Sequence, residues 1–516
     1  GGTSAVATGG TATGGTGTGG SGGASGFNSA DSGNVDPCAN GACDVDSGAQ
    51  CTADGGVCAA TQSATPVIAS TQQALSDDMI CPGIDRSTPA TLYESADDSN
   101  SMASPAVARR LIRQGLNVPA SIIRPYEFLN YYRFAFEPAQ QGEVRIVPQL
   151  SSCAEDGKIS LQVALQSELR ANDERAPLNL TFVLDTSGSM QGQPIANLQA
   201  SVRAIASVLR AGDVVSMVTW NTEQLDALVS HEVSGPNDPA ILSVTEQLSA
   251  DGGTDLSGGL NRGYQLAVAQ RSPGRINRVV LISDGIANVG VTDAQTIGSY
   301  ADDEEGGEGI YLAGIGVGDG VNDTLMDAVT DAGRGAYLYV DSPEEAQHML
   351  ADRFLEVMDV AARAVRLEVN LPWYLKVQQF YGEQISTNAA LVRPQHLAPN
   401  SAMVFFQLLQ ACPGAEMHGD DRIRLRATWQ TPFTRQDKEA VIDTTLNDLA
   451  GQDGQIEKGA AIASYAQALI DSDGQTGSAR FEILQHALTD VENAEHGAAD
   501  PDLAEIATLL HTYMQL

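Results

Sequence analysis

Lysine is nearly absent from these 516 residues. Lys158, Lys376, Lys438 and Lys458 are all of it, so 25 of the 29 basic residues are arginine, against 65 acidic ones. The net charge of −36 argues against nucleic acid and anionic membrane surfaces as direct partners, because both repel such a field. An acid-rich, lysine-poor surface fits salt adaptation or a GC-biased genome. No run of 18 apolar residues occurs, so no transmembrane span is expected. Paired CxxC knuckles are missing as well. Cys38, Cys43, Cys51 and Cys58 are separated by four, seven and six residues, which argues against zinc. They sit in a Gly/Asp-rich stretch that cannot build a core. Disulfides are the expected staple there, and they imply an oxidising compartment. Catalytic signatures are lacking too. No GxSxG surrounds Ser187 or Ser189, no HExxH occurs, and the glycines of Gly314 to Gly320 never give GxGxxG. The histidines, His231, His348 and His396 among them, are scattered and read as surface residues. No enzyme is expected.

The chain divides by composition. Residues 1–26 hold only Gly, Thr, Ala, Ser and one Val, a flexible tether or a segment for self-association. Residues 27–89 are the cysteine-rich segment and a linker. Residues 90–175 carry helical stretches at 106–115 and 124–132, then alternating strands at 143–150 and 158–169. From 176 to 363 continuous apolar strands alternate with helices. The strands lie near 178–184, 213–220, 277–283, 309–317 and 336–340. The helices lie near 193–211, 238–249, 256–270, 321–332 and 343–363. This pattern means a mostly parallel sheet with helices on both faces, whose ligands sit at the carboxyl ends of the strands. Residues 364–455 alternate with a period near two and form a β-rich domain. Residues 456–516 hold three helical stretches. Cys153 and Cys412 each flank a strand-like run, and a bridge between them is expected, with Cys81 as the odd thiol unless the partners are shuffled.

What the chain does have is Asp185-Thr186-Ser187-Gly188-Ser189-Met190, directly after the apolar run 178–184. A carboxylate and two hydroxyls at alternate positions can fold around one small hard cation. Asp251-Gly252-Gly253-Thr254-Asp255 adds a hydroxyl in a Gly-rich loop. Asp284 closes the strand near 277–283 and precedes Gly285.

These three pieces, in this order, resemble the metal-ion-dependent adhesion site of von Willebrand factor type A (VWA) domains. The resemblance implies a Rossmann-like fold with Asp185, Ser187, Ser189, Thr254 and Asp284 as metal residues. The serines and Thr254 would supply hydroxyls, and the aspartates carboxylates, partly through water. The metal would be Mg²⁺ or Mn²⁺, with Ca²⁺ as a further candidate. The open coordination position implies a protein partner that presents an acidic residue.

The likeness extends over roughly 90–516. Thr91-Leu92-Tyr93-Glu94-Ser95-Ala96-Asp97-Asp98-Ser99-Asn100, the run Ala108 to Gly115 and the run Ile123 to Tyr132 resemble the region before the A domain in a family of bacterial VWA lipoproteins. That family has Asp-Val-Asp-Thr where this chain has Ser95-Ala96-Asp97-Asp98. The resemblance implies an exported, envelope-associated binding protein at the cell surface or secreted, with a lipid anchor as an option. The chain begins at Gly1, which fits a processed or trimmed start. The rival expectation is a structural subunit of an extracellular assembly, in which the A domain is scaffold and residues 1–26 make subunit contacts.

Overall fold

A computed structural model describes residues 89–97, 100–153, 158–286, 297–298, 301, 309–412, 415, 417–450, 455–494 and 500–516. The tether, the cysteine-rich segment with Cys81, and the acidic run 302–305 lie outside these residues.

Strand β1 (Ala90–Ser95) comes first. Helices α1 (Ala103–Arg113) and α2 (Pro125–Tyr131) follow, then the hairpin β2 (Arg145–Cys153) and β3 (Lys158–Gln166). The middle alternates: β4 (Leu178–Asp185), α3 (Gln193–Val208), β5 (Val214–Trp220), β6 (Gln224–Glu232), α4 (Pro239–Gln247), α5 (Leu256–Gln270), β7 (Ile276–Ser283), β8 (Tyr311–Val317), α6 (Asp323–Gly333) and β9 (Tyr337–Val340). Short helices α7 (Pro343–Gln347) and α8 (Phe354–Met358) flank a π turn. Then come β10 (Ala362–Leu371), β11 (Leu375–Phe380), β12 (Gln384–Ser386), β13 (Gln395–Leu397), β14 (Ala402–Ala411), β15 (Arg422–Gln430) and β16 (Asp437–Thr445). Helices α9 (Leu446–Leu449), α10 (Gln455–Ser472), α11 (Gly477–Ala494) and α12 (Pro501–Tyr513) close the chain.

The central sheet runs β6-β5-β4-β7-β8-β9, with every pairing parallel except β5–β6. Its inner strands are buried along their whole length, as continuous Val, Ile and Leu demand of a sheet covered on both faces. Phe182 and Leu184 point to the face under α3, and Val183, Val279 and Leu281 to the face under α5. The helix α5 approaches β4 and β5 closely because its side facing them is glycine. A Cβ on Gly259 would come within 2.5 Å of the Trp220 ring.

Strands from before and after this unit pair with each other. β1 and β10 are antiparallel neighbours in a sheet ordered β12-β1-β10-β15-β16, with β13 also on β10. β2, β3, β14 and β11 form a second sheet, and the two enclose a core that includes Leu161, Phe405, Leu367 and Leu425. The closing helices pack on the outer face of the four-stranded sheet, where Val404 and Phe406 join Ile462 and Tyr465 in one cluster. The fold is thus a parallel α/β unit flanked by a β-rich part and a carboxyl-terminal helical segment. Among the described residues no helix is long and apolar enough to cross a membrane.

Several expectations need correcting. The helix expected over 343–363 stops at Met358, and Ala362 already belongs to β10. Edge strand β6 is missing from the sequence reading because it is largely exposed and lacks a clean alternation. Strands β11, β12, β13 and β16 are also absent from it; two of them are only three residues long. His396 is buried, at 8% exposure, rather than on the surface. Gly314 to Val317 form a buried strand, and Gly318 turns the chain out of it with φ 88°. Cys153 ends β2, and Cys412 follows β14 at the same end of that sheet.

Candidate metal centre

β4 and β7 are adjacent and parallel, so Asp185 and Asp284 emerge side by side at the carboxyl end of the sheet. Both are buried, at 0% and 2% exposure. The Asp185 carboxylate is held from two sides. Its Oδ1 accepts the Ser187 N–H at 2.9 Å, and its Oδ2 accepts the Ser283 hydroxyl at 2.6 Å. Asp284 accepts the Ile286 N–H at 3.0 Å, which folds its loop over the strand end.

The second loop is tied to the first by backbone. Asp251 N–H donates to Thr186 O at 2.8 Å, and Gly188 N–H donates to Gly252 O at 3.2 Å. Gly252 takes φ 82°, and a Cβ there would lie 3.0 Å from the Thr222 hydroxyl, so glycine suits this close approach. Thr254, 7% exposed, is thereby carried to the same end of the sheet. Asp255 caps α5 by accepting the Gly258 N–H at 3.0 Å, and Gln224 of β6 donates to its other oxygen at 2.9 Å. All five expected residues therefore lie on three loops that hydrogen bonds draw together. Ser187 is buried and Ser189 is exposed.

Three supports were not foreseen. Ser283 anchors Asp185, the Trp220 carbonyl receives both the Thr186 N–H and its hydroxyl, and the Thr222 hydroxyl accepts the Gly253 N–H at 2.7 Å. Ser283 carried a readable signal, a hydroxyl in the last position of an apolar strand. The Trp220 and Thr222 contacts depend on how β5 turns into β6, and that strand is not legible.

The donor set fits a hard cation. Ser187 Oγ and Ser189 Oγ lie 3.1 Å apart. Adjacent oxygens of an octahedron around Mg²⁺, at about 2.0–2.1 Å from the metal, are separated by about 2.9 Å. The two hydroxyls thus already stand at ligand-to-ligand spacing. Burial pushes the Asp185 carboxyl up to about 6, and Asp284 adds to this, while the Ser187 and Ser283 hydrogen bonds work against it. A buried carboxylate beside another is relieved by a cation between them. Among the described residues no three of His, Cys, Asp and Glu gather as a metal set.

Residues 179–352 match the model of the von Willebrand factor type A domain. The Escherichia coli (strain K12) protein YfbK is 26% identical over 448 residues, covering 77% of this chain and 74% of its own length. Inter-alpha-trypsin inhibitor heavy chain H1 of Sus scrofa is 27% identical over 242 residues, covering 45% of this chain and 26% of that protein. A solved von Willebrand factor type A structure from Catenulispora acidiphila superposes with a TM-score of 0.48 at 14% identity, over 73% of this chain and 98% of that one. The chain thus carries a von Willebrand factor type A domain over residues 179–352.

Proposed function

We propose that this chain is an exported, divalent-cation-dependent binding protein. Asp185, Ser187, Ser189, Thr254 and Asp284 would hold Mg²⁺ or Mn²⁺, which supplies a Lewis-acid position for a carboxylate of a protein partner. The observation that carries this reading is the convergence of three loops that sets two serine hydroxyls 3.1 Å apart beside two buried carboxylates. The protein's own part is orientation. Ser283 and the Ser187 amide fix Asp185, and the Gly188–Gly252 bond holds the Thr254 loop against the serine loop. Neutral hydroxyls leave a cation short of negative charge, and this favours an anionic partner. VWA domains are in general binding modules. Disulfides in the cysteine-rich segment and between Cys153 and Cys412 would accompany export.

The test is binding of an acidic peptide to the full chain across a salt series, with and without chelator. At net −36 the protein repels acidic partners at long range, and about 1 M salt shortens that repulsion to about 3 Å. Binding should survive high salt and vanish with chelator or with Asp284→Ala. Binding that weakens steeply with salt and ignores chelator would contradict the reading.

A further inference from the structure

The end of the parallel sheet away from the metal loops holds a cavity that the metal site does not use. It is small, with about 30 Å³ open to the centre of a water-sized group, and it is partly open to solvent. Arg278 near the start of β7, Tyr311 at the start of β8, Arg334 just before β9 and His396 of β13 line it, with Glu356 and Asp359. Six residue steps lead from Arg278 to Asp284, about 20 Å at about 3.3 Å each.

His396 is the centre of this cavity's chemistry. Its Nδ1 accepts the Ala364 N–H at 3.3 Å. Ala364 sits in a bulge of β10, where the register shifts against both β13 and β15, and its φ is 49°. A non-glycine residue in that region is strained, and here the bulge turns its amide onto the ring. Burial, then the charges of Arg363, Arg334 and Arg278, push the imidazole down to about 3, so the ring is neutral. With Nδ1 accepting, the one ring proton resides on Nε2. That Nε2 is buried and has no hydrogen-bond partner among the described residues.

A buried donor without an acceptor is unfavourable, so an acceptor belongs in the cavity. The two carboxylates in its wall are engaged elsewhere. Asp359 pairs with Arg170 at 2.6 Å, and Glu356 pairs with Arg353 at 2.7 Å and with Arg133. The surroundings are positive. The Arg278 guanidinium lies 4.7 Å over the Tyr311 ring, whose centroid is 5.1 Å from that of His396. A guanidinium carries five donors, so one that has partners still has donors to share. We propose that this cavity binds a single small anion of carboxylate size through His396 Nε2–H and the guanidinium groups of Arg278 and Arg334.

Formate is the probe, added to the full chain freed of divalent cations so that the metal end cannot take it. Ionic strength is held fixed. Histidine-selective ¹H–¹⁵N NMR should show a saturable shift of the His396 Nε2–H resonance, with a parallel rise in melting temperature. Arg334 is exposed, and Arg334→Gln leaves the His396–Ala364 contact in place. That variant should weaken formate about tenfold, the loss of one charge-assisted hydrogen bond. His396→Phe should abolish the response, and if it fails to fold, Arg334→Gln alone decides. A wild-type resonance that formate does not move would mean an ordered water only. An affinity unchanged in Arg334→Gln would place the anion elsewhere. Either result overturns the proposal.

Discussion

The parallel sheet and the β-rich part use the same kinds of side chain to opposite ends. In β4, β7 and β8 every residue is buried, polar ones included. In β15 the apolar residues alternate with Arg422, Arg424 and Arg426, and β16 faces them with Glu439 and Asp443. A sheet covered on both faces has no side from which to present a ligand, so its polar chemistry is confined to the strand ends. The sandwich sheet can spread charge over its outer face, where water screens it. The same ion pair should therefore matter in one region and hardly at all in the other.

The largest effects should come from the buried sheet. Arg175 and Asp213 form a fully buried pair, with guanidinium-to-carboxylate distances of 2.9 and 2.5 Å. Arg175→Met strands the carboxylate and should cost about 3–5 kcal/mol in chemical denaturation. Phe182→Ala, at a fully buried position in β4, should cost a similar amount, about 3–5 kcal/mol. A loss under about 1 kcal/mol from either would remove the contrast.

The next effect is a pH dependence. Folding raises the Asp185 carboxyl from 3.8 to about 6, so its neutral form is the one that folding favours. The stability it contributes is fully present below pH 3.8 and is lost as pH rises through about 6. Metal-free protein should lose about 3 kcal/mol from this group across that window. Asp185→Asn should flatten the slope, and Mg²⁺ should restore stability at the upper end. Denaturation curves from about pH 4 to about pH 7 with an unchanged slope in Asp185→Asn would contradict this.

Cation binding should raise stability by about 2.7 kcal/mol at a hundredfold excess over its dissociation constant, read by calorimetric melting with and without chelator. The smallest effect belongs to the outer sheet. Arg422 meets Asp443 at 2.7 Å, with the side chains 61% and 44% exposed. Arg422→Ala should change stability by about 0.2–1 kcal/mol, and less at high salt. A cost near that of Arg175→Met would break the comparison outright.

Legibility followed the same division. The parallel strands are plain because each is mostly apolar and ends in a turn or a helix start. Asp185 and Asp284 were legible because their strands are. β6, with Gln224-Leu225-Asp226 exposed at its start, has no such signature, and the support it gives Asp255 through Gln224 went unseen. The 343–363 segment read as one helix because its apolar residues keep helical spacing. Its break comes from strand pairing, since Ala362 is opposite Leu397, a contact the local sequence does not encode. His396 reads as a stray polar residue because its partners, the Ala364 amide in a bulge and the Tyr311 ring, come from strand pairing and packing that the local sequence does not encode.

The most direct test of the metal site is Mn²⁺ binding to the full chain, followed by electron paramagnetic resonance and titration calorimetry. The account predicts one site per chain, competed by Mg²⁺ and lost in Asp185→Ala, Asp284→Ala and the double variant Ser187→Ala/Ser189→Ala. Binding that is absent in the wild type, or unchanged in those variants, would contradict it.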